Sequence, residues 1–276
     1  MTELIRLLER QTLPPSKVIV SATEAADIEP ALKTSMLPLE LIYGSASSTK
    51  QRNRGLERVH DEADIVVFFD DDFAPAANWL EHCAFAFAAD QSVVGMHGRL
   101  LKDGALDAGV SWDEAKRLIS TPPPLPSGSP ELTDISGLYG CNMAFRASAV
   151  AAQRFDERLV LYAWMEDKDF SRIVGRGGRL VRYIGMVGVH LGIKSGRVSG
   201  KRLGYSQIVN AWYLHRKKVL TTKEVWRNTF KALVANGIKS FRPESHIDRF
   251  GRFIGNLLGV WELLRGKCRP ERAEEL

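Results

Sequence analysis

Three consecutive carboxylates, Asp70-Asp71-Asp72, stand directly after the apolar run Ile65-Val66-Val67-Phe68-Phe69. Hard divalent cations such as Mg2+ and Mn2+ prefer oxygen ligands, and Asp70 and Asp72, one residue apart, can offer carboxylates to one ion. Adjacent aspartates repel one another, and a bound cation relieves that repulsion. The triplet, followed by Pro75, also suits a plain turn or helix cap. His190 closes the run Gly185-Met186-Val187-Gly188-Val189-His190. An imidazole there can complete a metal shell or be purely structural. Lys194 and Arg197, in the glycine-containing basic segment that follows, can meet phosphate oxygens. A second acidic pair, Glu166-Asp167, opens a stretch with helical character. Carboxylates in a first helical turn complement the helix dipole, and a carboxylate within reach of a hydroxyl can act as a general base. Asp167 is the first choice for that role and Glu166 the reserve.

The segments that must position these groups alternate in character. Short β-rich runs at Lys17-Val18-Ile19-Val20 and Leu39 to Tyr43 bracket a short helical stretch, and a further helix is expected through Gln51 to Val59. This alternation predicts an α/β domain with a largely parallel sheet. Ile65 to Phe69 is apolar on both faces, which predicts a central strand covered by helices on both sides. Ala76 to Ala89 reads as a helix, Val93 to Met96 as a strand, Glu166 to about Val174 as a helix and Arg179 to Ile184 as another strand. Between them, residues 121–130 carry five prolines, which can neither continue a helix nor sit in a central strand. They read as a surface loop that either borders an acceptor site or is a plain insertion. The remainder is mostly helical. In the last helix Phe250, Phe253, Ile254, Leu257, Leu258, Trp261 and Leu264 share one face, while Gly251, Gly255 and Gly259 repeat on another.

The chain has 276 residues, of which 45% are hydrophobic and 26% charged, a composition that supports a packed core and excludes disordered or fibrous classes. Three widely separated cysteines, with no CxxC pair, suggest neither a disulfide framework nor a zinc site and fit a reducing cytosol. The charged first residues do not read as a secretory signal, and no apolar run reaches the roughly 18 residues needed to span a bilayer. Charge is unevenly distributed. Residues 190–276 hold 18 Lys+Arg against 7 Asp+Glu, a net of +11, which leaves −6 for residues 1–189. The basic tail either faces an anionic partner or is a solvated surface.

Taken in order, QRNRG (51–55), IVVFFDDD (65–72), GCNMAFRASAV (140–150), MEDKDF (165–170) and VHLGIKSGR (189–197) resemble a bacterial family 2 glycosyltransferase with the GT-A fold, over roughly residues 17 to 218. The resemblance implies a mostly parallel nucleotide-binding sheet flanked by helices, with a GT-A catalytic domain at 1–200 and a basic helical extension at 201–276. It implies an inverting enzyme using Mg2+ or Mn2+, a nucleoside-diphosphate sugar donor and a glycan or lipid-linked acceptor. Asp70 and Asp72 match the metal and diphosphate motif, Asp71 counts with Asp70 among the donor-binding positions and is the most replaceable of the three where its side chain points away from the metal, Asp167 is the base, and His190 lies near the metal or diphosphate. Ser21, Thr23 and Glu24 match the stretch that holds the nucleotide base. Arg52 and Asn53 match a donor-side segment, and Gly140 and Asn142 the loop beneath donor sugar and acceptor. The tail resembles those of exopolysaccharide-type members that act on lipid-linked acceptors; a basic helix with an apolar face can lie at an anionic bilayer interface on the cytoplasmic side, and the same stripe can equally pack on the catalytic domain or a second subunit.

One departure concerns the nucleoside. The family usually carries an aspartate just after the second strand, but here that segment is Gly44-Ser45-Ala46-Ser47. Backbone groups, Arg52 or Glu24 must then take its place. A sugar-phosphate nucleotidyltransferase shares substrate and metal, yet the glycine-rich phosphate loop such enzymes carry is missing from Val20 to Ala25. A non-catalytic scaffold is the remaining alternative. A nucleic-acid partner has no recognition motif to support it.

Overall fold

The computed structural model describes the chain except residues 60–62, 106–107, 125–127, 129–130, 194–197 and 245–246. It forms two compact units, one of Met1–Ser45, Gln51–Arg154 and Phe170–Ile193, the other of Ala46–Lys50, Phe155–Asp169 and Lys194–Leu276.

The chain begins with α1 (Thr2–Leu8), β1 (Val18–Ala22), β2 (Leu39–Tyr43) and α2 (Ser48–Leu56). β1 and β2 pair in parallel, Val18 beside Leu39 and Ala22 beside Tyr43. Leu4, Ile5 and Leu8 of α1 pack with Val20 and Leu32 into a small core. Next come β3 (Ile65–Phe69), β4 (Phe73–Pro75), α3 (Trp79–Ala89), β5 (Val93–Asp103), α4 (Trp112–Ser120), β6 (Leu132–Asp134), β7 (Asn142–Arg146), α5 (Ala147–Val150), α6 (Glu166–Val174) and β8 (Arg179–His190). The larger sheet has the order β3-β7-β5-β8-β4, with β6 also on β8. Among the described residues only β5 and β8 run parallel in it; the other pairs are antiparallel. This mixed sheet corrects the expectation of a mostly parallel one. Side-chain patterns report which faces of a strand are buried, whereas direction is set by the connection, and β4 follows β3 through the short Asp70-Asp71-Asp72 turn with no crossover helix between them.

β3 also differs from expectation, because it ends the sheet rather than lying at its centre. Its two apolar faces are explained by aromatic neighbours. Phe68 meets Phe145 and Phe170 edge-on at 6.1 and 6.4 Å. Phe69 stacks on Phe73 at 5.1 Å and meets Trp79 at 4.7 Å. Phe69, Phe73 and Trp79 join a core containing Phe87, Met96, Val181 and Met186.

The second unit is built on α7 (Gly200–Arg216), α8 (Thr222–Lys239) and α9 (Arg249–Leu264). Each start is capped: Ser199 accepts from the Arg202 N–H, Thr221 and Glu224 form a capping box, and Asp248 accepts from the Gly251 N–H. α9 approaches α7 backbone to backbone. A β-carbon on Gly204 would lie 2.0 Å from the Arg252 carbonyl oxygen, and one on Gly255 would lie 2.1 Å from that of Lys201. No helix among the described residues is long and apolar enough to cross a membrane.

Candidate active site

Strand register assembles the site in the first unit. The Asp70-Asp71-Asp72 turn links β3 to β4, and Phe73 at the start of β4 pairs with His190 at the end of β8. On the other side of β8, His190 pairs with Asp103 at the end of β5. Two carboxylates therefore flank one imidazole. His190 Nδ1 lies 2.8 Å from Asp103 Oδ1, and its Nε2 lies 3.4 Å from Asp72 Oδ1. Asp103 also accepts from the Tyr139 hydroxyl at 3.0 Å and the Ala105 N–H at 3.0 Å. The second oxygen of Asp72 accepts from the Ile193 N–H at 2.8 Å, and its carbonyl accepts from Leu191. Two glycines allow these strand ends to converge. A β-carbon on Gly104 would fall 1.9 Å from the Leu191 carbonyl oxygen, and Gly192, at φ +66°, would place one 2.2 Å from the Ala105 nitrogen.

Burial disfavours the imidazolium, but hydrogen bonds and charges from Asp103 and Asp72 outweigh it and raise the His190 pKa to about 10. For Asp72, burial acts upward, but the hydrogen bond and charge of His190, joined by the Ile193 N–H, bring the pKa below the usual carboxylate range. Asp103 follows the same pattern, burial being outweighed by His190, Ala105 and Tyr139. Asp71 behaves differently. Its side chain is exposed, yet desolvation by the surrounding protein, then the charges of Asp72 and Asp70, raise its pKa. The part due to Asp72 and Asp70, second to desolvation, is the repulsion expected of an aspartate triplet.

Arg52 reaches this turn from α2, its Nη2 donating to Asp70 Oδ1 at 2.9 Å and to the Gly140 carbonyl at 3.3 Å. Asp70, Arg52 and Gly140 are thus brought together, while Asn53 is buried. Asn142 opens β7 opposite Phe69. It is fully buried, and neither its Oδ1 nor its Nδ2 has a partner among the described residues, an unusual state for a buried amide. At the end of β1, Ser21 Oγ is likewise unpartnered among the described residues. The Thr23 and Glu24 N–H groups donate to Asp27, which commits this exposed turn to a one-turn 3-10 helix.

Sequence reasoning missed Arg54. Its guanidinium lies against Gly44 just past β2, close enough that a β-carbon there would meet Arg54 Cζ at 2.8 Å. Nη1 donates to the Ser45 carbonyl at 3.1 Å, while Nε and Nη2 have no partner among the described residues. An arginine therefore stands beside Gly44, at the start of a segment, Gly44-Ser45-Ala46-Ser47, that carries no carboxylate. The motif match falls on the neighbouring Arg52, and nothing local singles out Arg54. Asp103 was missed for another reason: register shifts in β5 separate it from the expected strand, and no local pattern marks it.

Glu166 and Asp167 belong to the second unit. Leu161, Ala163 and Met165, just before them, all adopt positive φ without being glycine, a costly conformation that clusters at functional segments. Glu166 is buried, and its carboxylate accepts from the Asp167 N–H at 2.6 Å. The segment is anchored on α7, where Asn210 donates to the Trp164 carbonyl, and by Lys217, which bridges Asp156 and Asp169. Lys194 and Arg197, as well as the centre of the proline-rich loop, lie outside the described residues.

No family model and no curated protein matches the chain. Solved structures do. TarS of S. aureus, residues 1–349, superposes with a TM-score of 0.57 at 16% identity, covering 100% of this chain and 78% of that one. The mannosyltransferase PcManGT of Pyrobaculum calidifontis, in complex with GDP-Man and Mn2+, gives 0.53 at 14% identity, with 99% and 73% covered. GalNAc-T7 with UDP, GalNAc and Mn2+ gives 0.51 at 12% identity, over 94% of this chain and 50% of that one. The fold is GT-A-like.

Within this GT-A-like fold Asp70, Asp72 and His190 form a candidate metal cluster, one ligand atom of each lying within 4.8 Å of the others. Two carboxylates and one imidazole suit a divalent cation of the Mg2+ or Mn2+ type. The repelling aspartates fit a cation as well. Asp103 holds the far nitrogen of His190, the arrangement that fixes the ring of a metal-binding histidine.

Proposed function

We propose that the protein is an inverting, metal-dependent glycosyltransferase that moves a hexose-type sugar from a nucleoside-diphosphate sugar to a hydroxyl of a glycan or lipid-linked acceptor, in surface polysaccharide synthesis at the cytoplasmic side of a membrane. The observation that carries this reading is the Asp70-Asp72-His190 cluster at the strand ends of a GT-A-like sheet. The presence of a nucleotide or nucleotide sugar with Mn2+ in two of the similar structures supports it. In this reading residues 1–200 are the catalytic domain and 201–276 an extension.

Asp70, Asp72 and His190 would hold Mg2+ or Mn2+, whose charge compensates the diphosphate as the glycosidic bond breaks. Asp103 orients His190. Asn142 and Ser21, whose buried polar side-chain atoms have no partner among the described residues, are assigned to the donor side of the site. Arg54 replaces the missing aspartate, offering donors to oxygen acceptors on the nucleoside or its phosphates. Lys194 and Arg197 are assigned to phosphate. Asp167 takes the proton of the acceptor hydroxyl as that oxygen forms its bond to the anomeric carbon, and the nucleoside diphosphate leaves from the opposite face.

The decisive experiment combines transfer with donor binding. Wild type should transfer sugar from one of a panel of nucleotide sugars in the presence of Mn2+. Asp167→Asn should bind that donor unchanged and lose at least about 100-fold in kcat. Asp72→Asn should lose donor-dependent stabilisation too, whereas Asp71→Ala should retain most activity. Undiminished transfer by folded Asp167→Asn refutes the base assignment, and no response to any nucleotide sugar refutes the function.

A further inference from the structure

The two last helices turn their amphipathic character outward. The buried positions of α8 are Val225, Thr229 and Asn236, and those of α9 are Gly255, Asn256, Gly259 and Glu262. Both faces rest on α7. The Trp212 indole N–H donates to Thr229, Asn236 and Asn256 both donate to Gln207, and Gly255 abuts Lys201. The opposite faces carry the large apolar side chains. On α8 and just beyond it these are Trp226 (59% exposed), Phe230 (69%), Ile238 and Phe241. On α9 they are Phe250, Leu257, Trp261 (56%) and Leu264 (79%). The α9 stripe and Phe230, Ile238 and Phe241 lie opposite the sides that meet α7, while Trp226 stands at the flank, meeting Trp212 of α7 edge-on at 5.3 Å and keeping 59% of its surface exposed. Exposed apolar surface of this kind marks an interaction site.

Charge identifies the occupant. Residues 222–267 hold nine Lys+Arg and four Asp+Glu, and every one of those acids is engaged internally. Glu224 and Asp248 cap α8 and α9. Glu244 pairs with Lys239 and Arg249, and Glu262 with Arg272 and the Tyr205 hydroxyl. Lys223, Arg227, Lys231 and Arg242 are exposed and make no ion pair among the described residues. The surface therefore shows aromatic and aliphatic side chains bordered by uncompensated positive charge. That combination matches an anionic lipid interface, where tryptophan rings settle at headgroup depth and cations meet phosphates.

We propose that the outer face of α8 and α9 docks on the surface of an anionic phospholipid bilayer, with Trp226 and Trp261 inserted at headgroup level and Arg227 and Lys231 against lipid phosphates. This goes beyond the sugar-transfer reading and does not rest on it. The full chain should co-sediment with vesicles of phosphatidylcholine and phosphatidylglycerol far better than with phosphatidylcholine alone, and added salt should weaken the binding. Trp226→Ser with Trp261→Ser should lower partition more than about ten-fold. Arg227→Gln and Lys231→Gln should each lower it about five-fold, on anionic vesicles only. All four positions are exposed, so unchanged circular dichroism and an unchanged thermal melt verify the fold. Failure to bind anionic vesicles overturns the proposal. So does vesicle binding that survives both sets of substitutions, or a stable dimer that ignores vesicles and dissociates when the tryptophans are replaced.

Discussion

His190 is fixed by the two carboxylates on either side of it, and Asp103 is the partner whose role can be isolated. Asp103→Asn keeps the size of the side chain but removes the charge that holds Nδ1. It should weaken apparent Mn2+ affinity by about 10- to 100-fold, read by calorimetric titration, with donor affinity at saturating metal little changed. Equal Mn2+ affinity in variant and wild type would make Asp103 merely structural. A second histidine reports on stability. His97 accepts the Tyr139 N–H on Nδ1 at 2.9 Å, which requires a neutral ring, and burial, with the Arg182 charge, lowers its pKa to about 4. Between the ordinary value of 6.5 and about 4, the unfolded chain binds a proton that the folded chain does not. Stability from His97 is therefore complete above pH 6.5 and falls as pH drops through this window, by on the order of 3 kcal/mol in full. Urea unfolding at about pH 7.5 and about pH 5 should show the larger part of that drop in wild type, and it should shrink in His97→Gln.

At the scale of elements, glycines in helices separate packing from propensity. Gly55 in α2 has nothing within 4 Å of the point where a β-carbon would stand, so Gly55→Ala should stabilise the protein by about 0.5–1 kcal/mol. Gly255 in α9 would drive the same methyl against the α7 backbone at 2.1 Å. Gly255→Ala should destabilise by about 1–3 kcal/mol despite its better helix propensity. Opposite signs in parallel denaturant melts test the backbone-to-backbone contact of α7 and α9. Helix existence was legible here from period and spacing: the repeated glycines and the apolar face of α9 are both visible in the sequence. What lies against each face was not, because a 3.6-residue period marks two sides without saying which one meets protein. β5 and β8 show the corresponding limit for strands. Their extensions to Asp103 and His190 are stabilised by pairing across the sheet, which local composition does not encode.

For the whole molecule, the proposed function predicts ligand-linked stability. A donor that binds only the folded state raises stability by about 2.7 kcal/mol at roughly 100 times its Kd, a shift of several degrees in Tm for a protein this large. With Mn2+ present, wild type should show this shift in a thermal melt, and Asp72→Asn should not.

The sequence by itself determined which groups can do chemistry. Three aspartates after an apolar strand, an acidic pair opening a helix and a histidine before a basic segment declare their chemistry by type and order. It also determined the charge division between an acidic front and a basic tail. The tertiary structure decided what each group faces. It set Asp103 behind His190, put Arg54 rather than Arg52 at the end of β2, left Asn142 buried without a partner among the described residues, and turned the apolar stripes of α8 and α9 outward. Each of these depends on register or on packing between segments distant in sequence, where the partner, not the residue, carries the information.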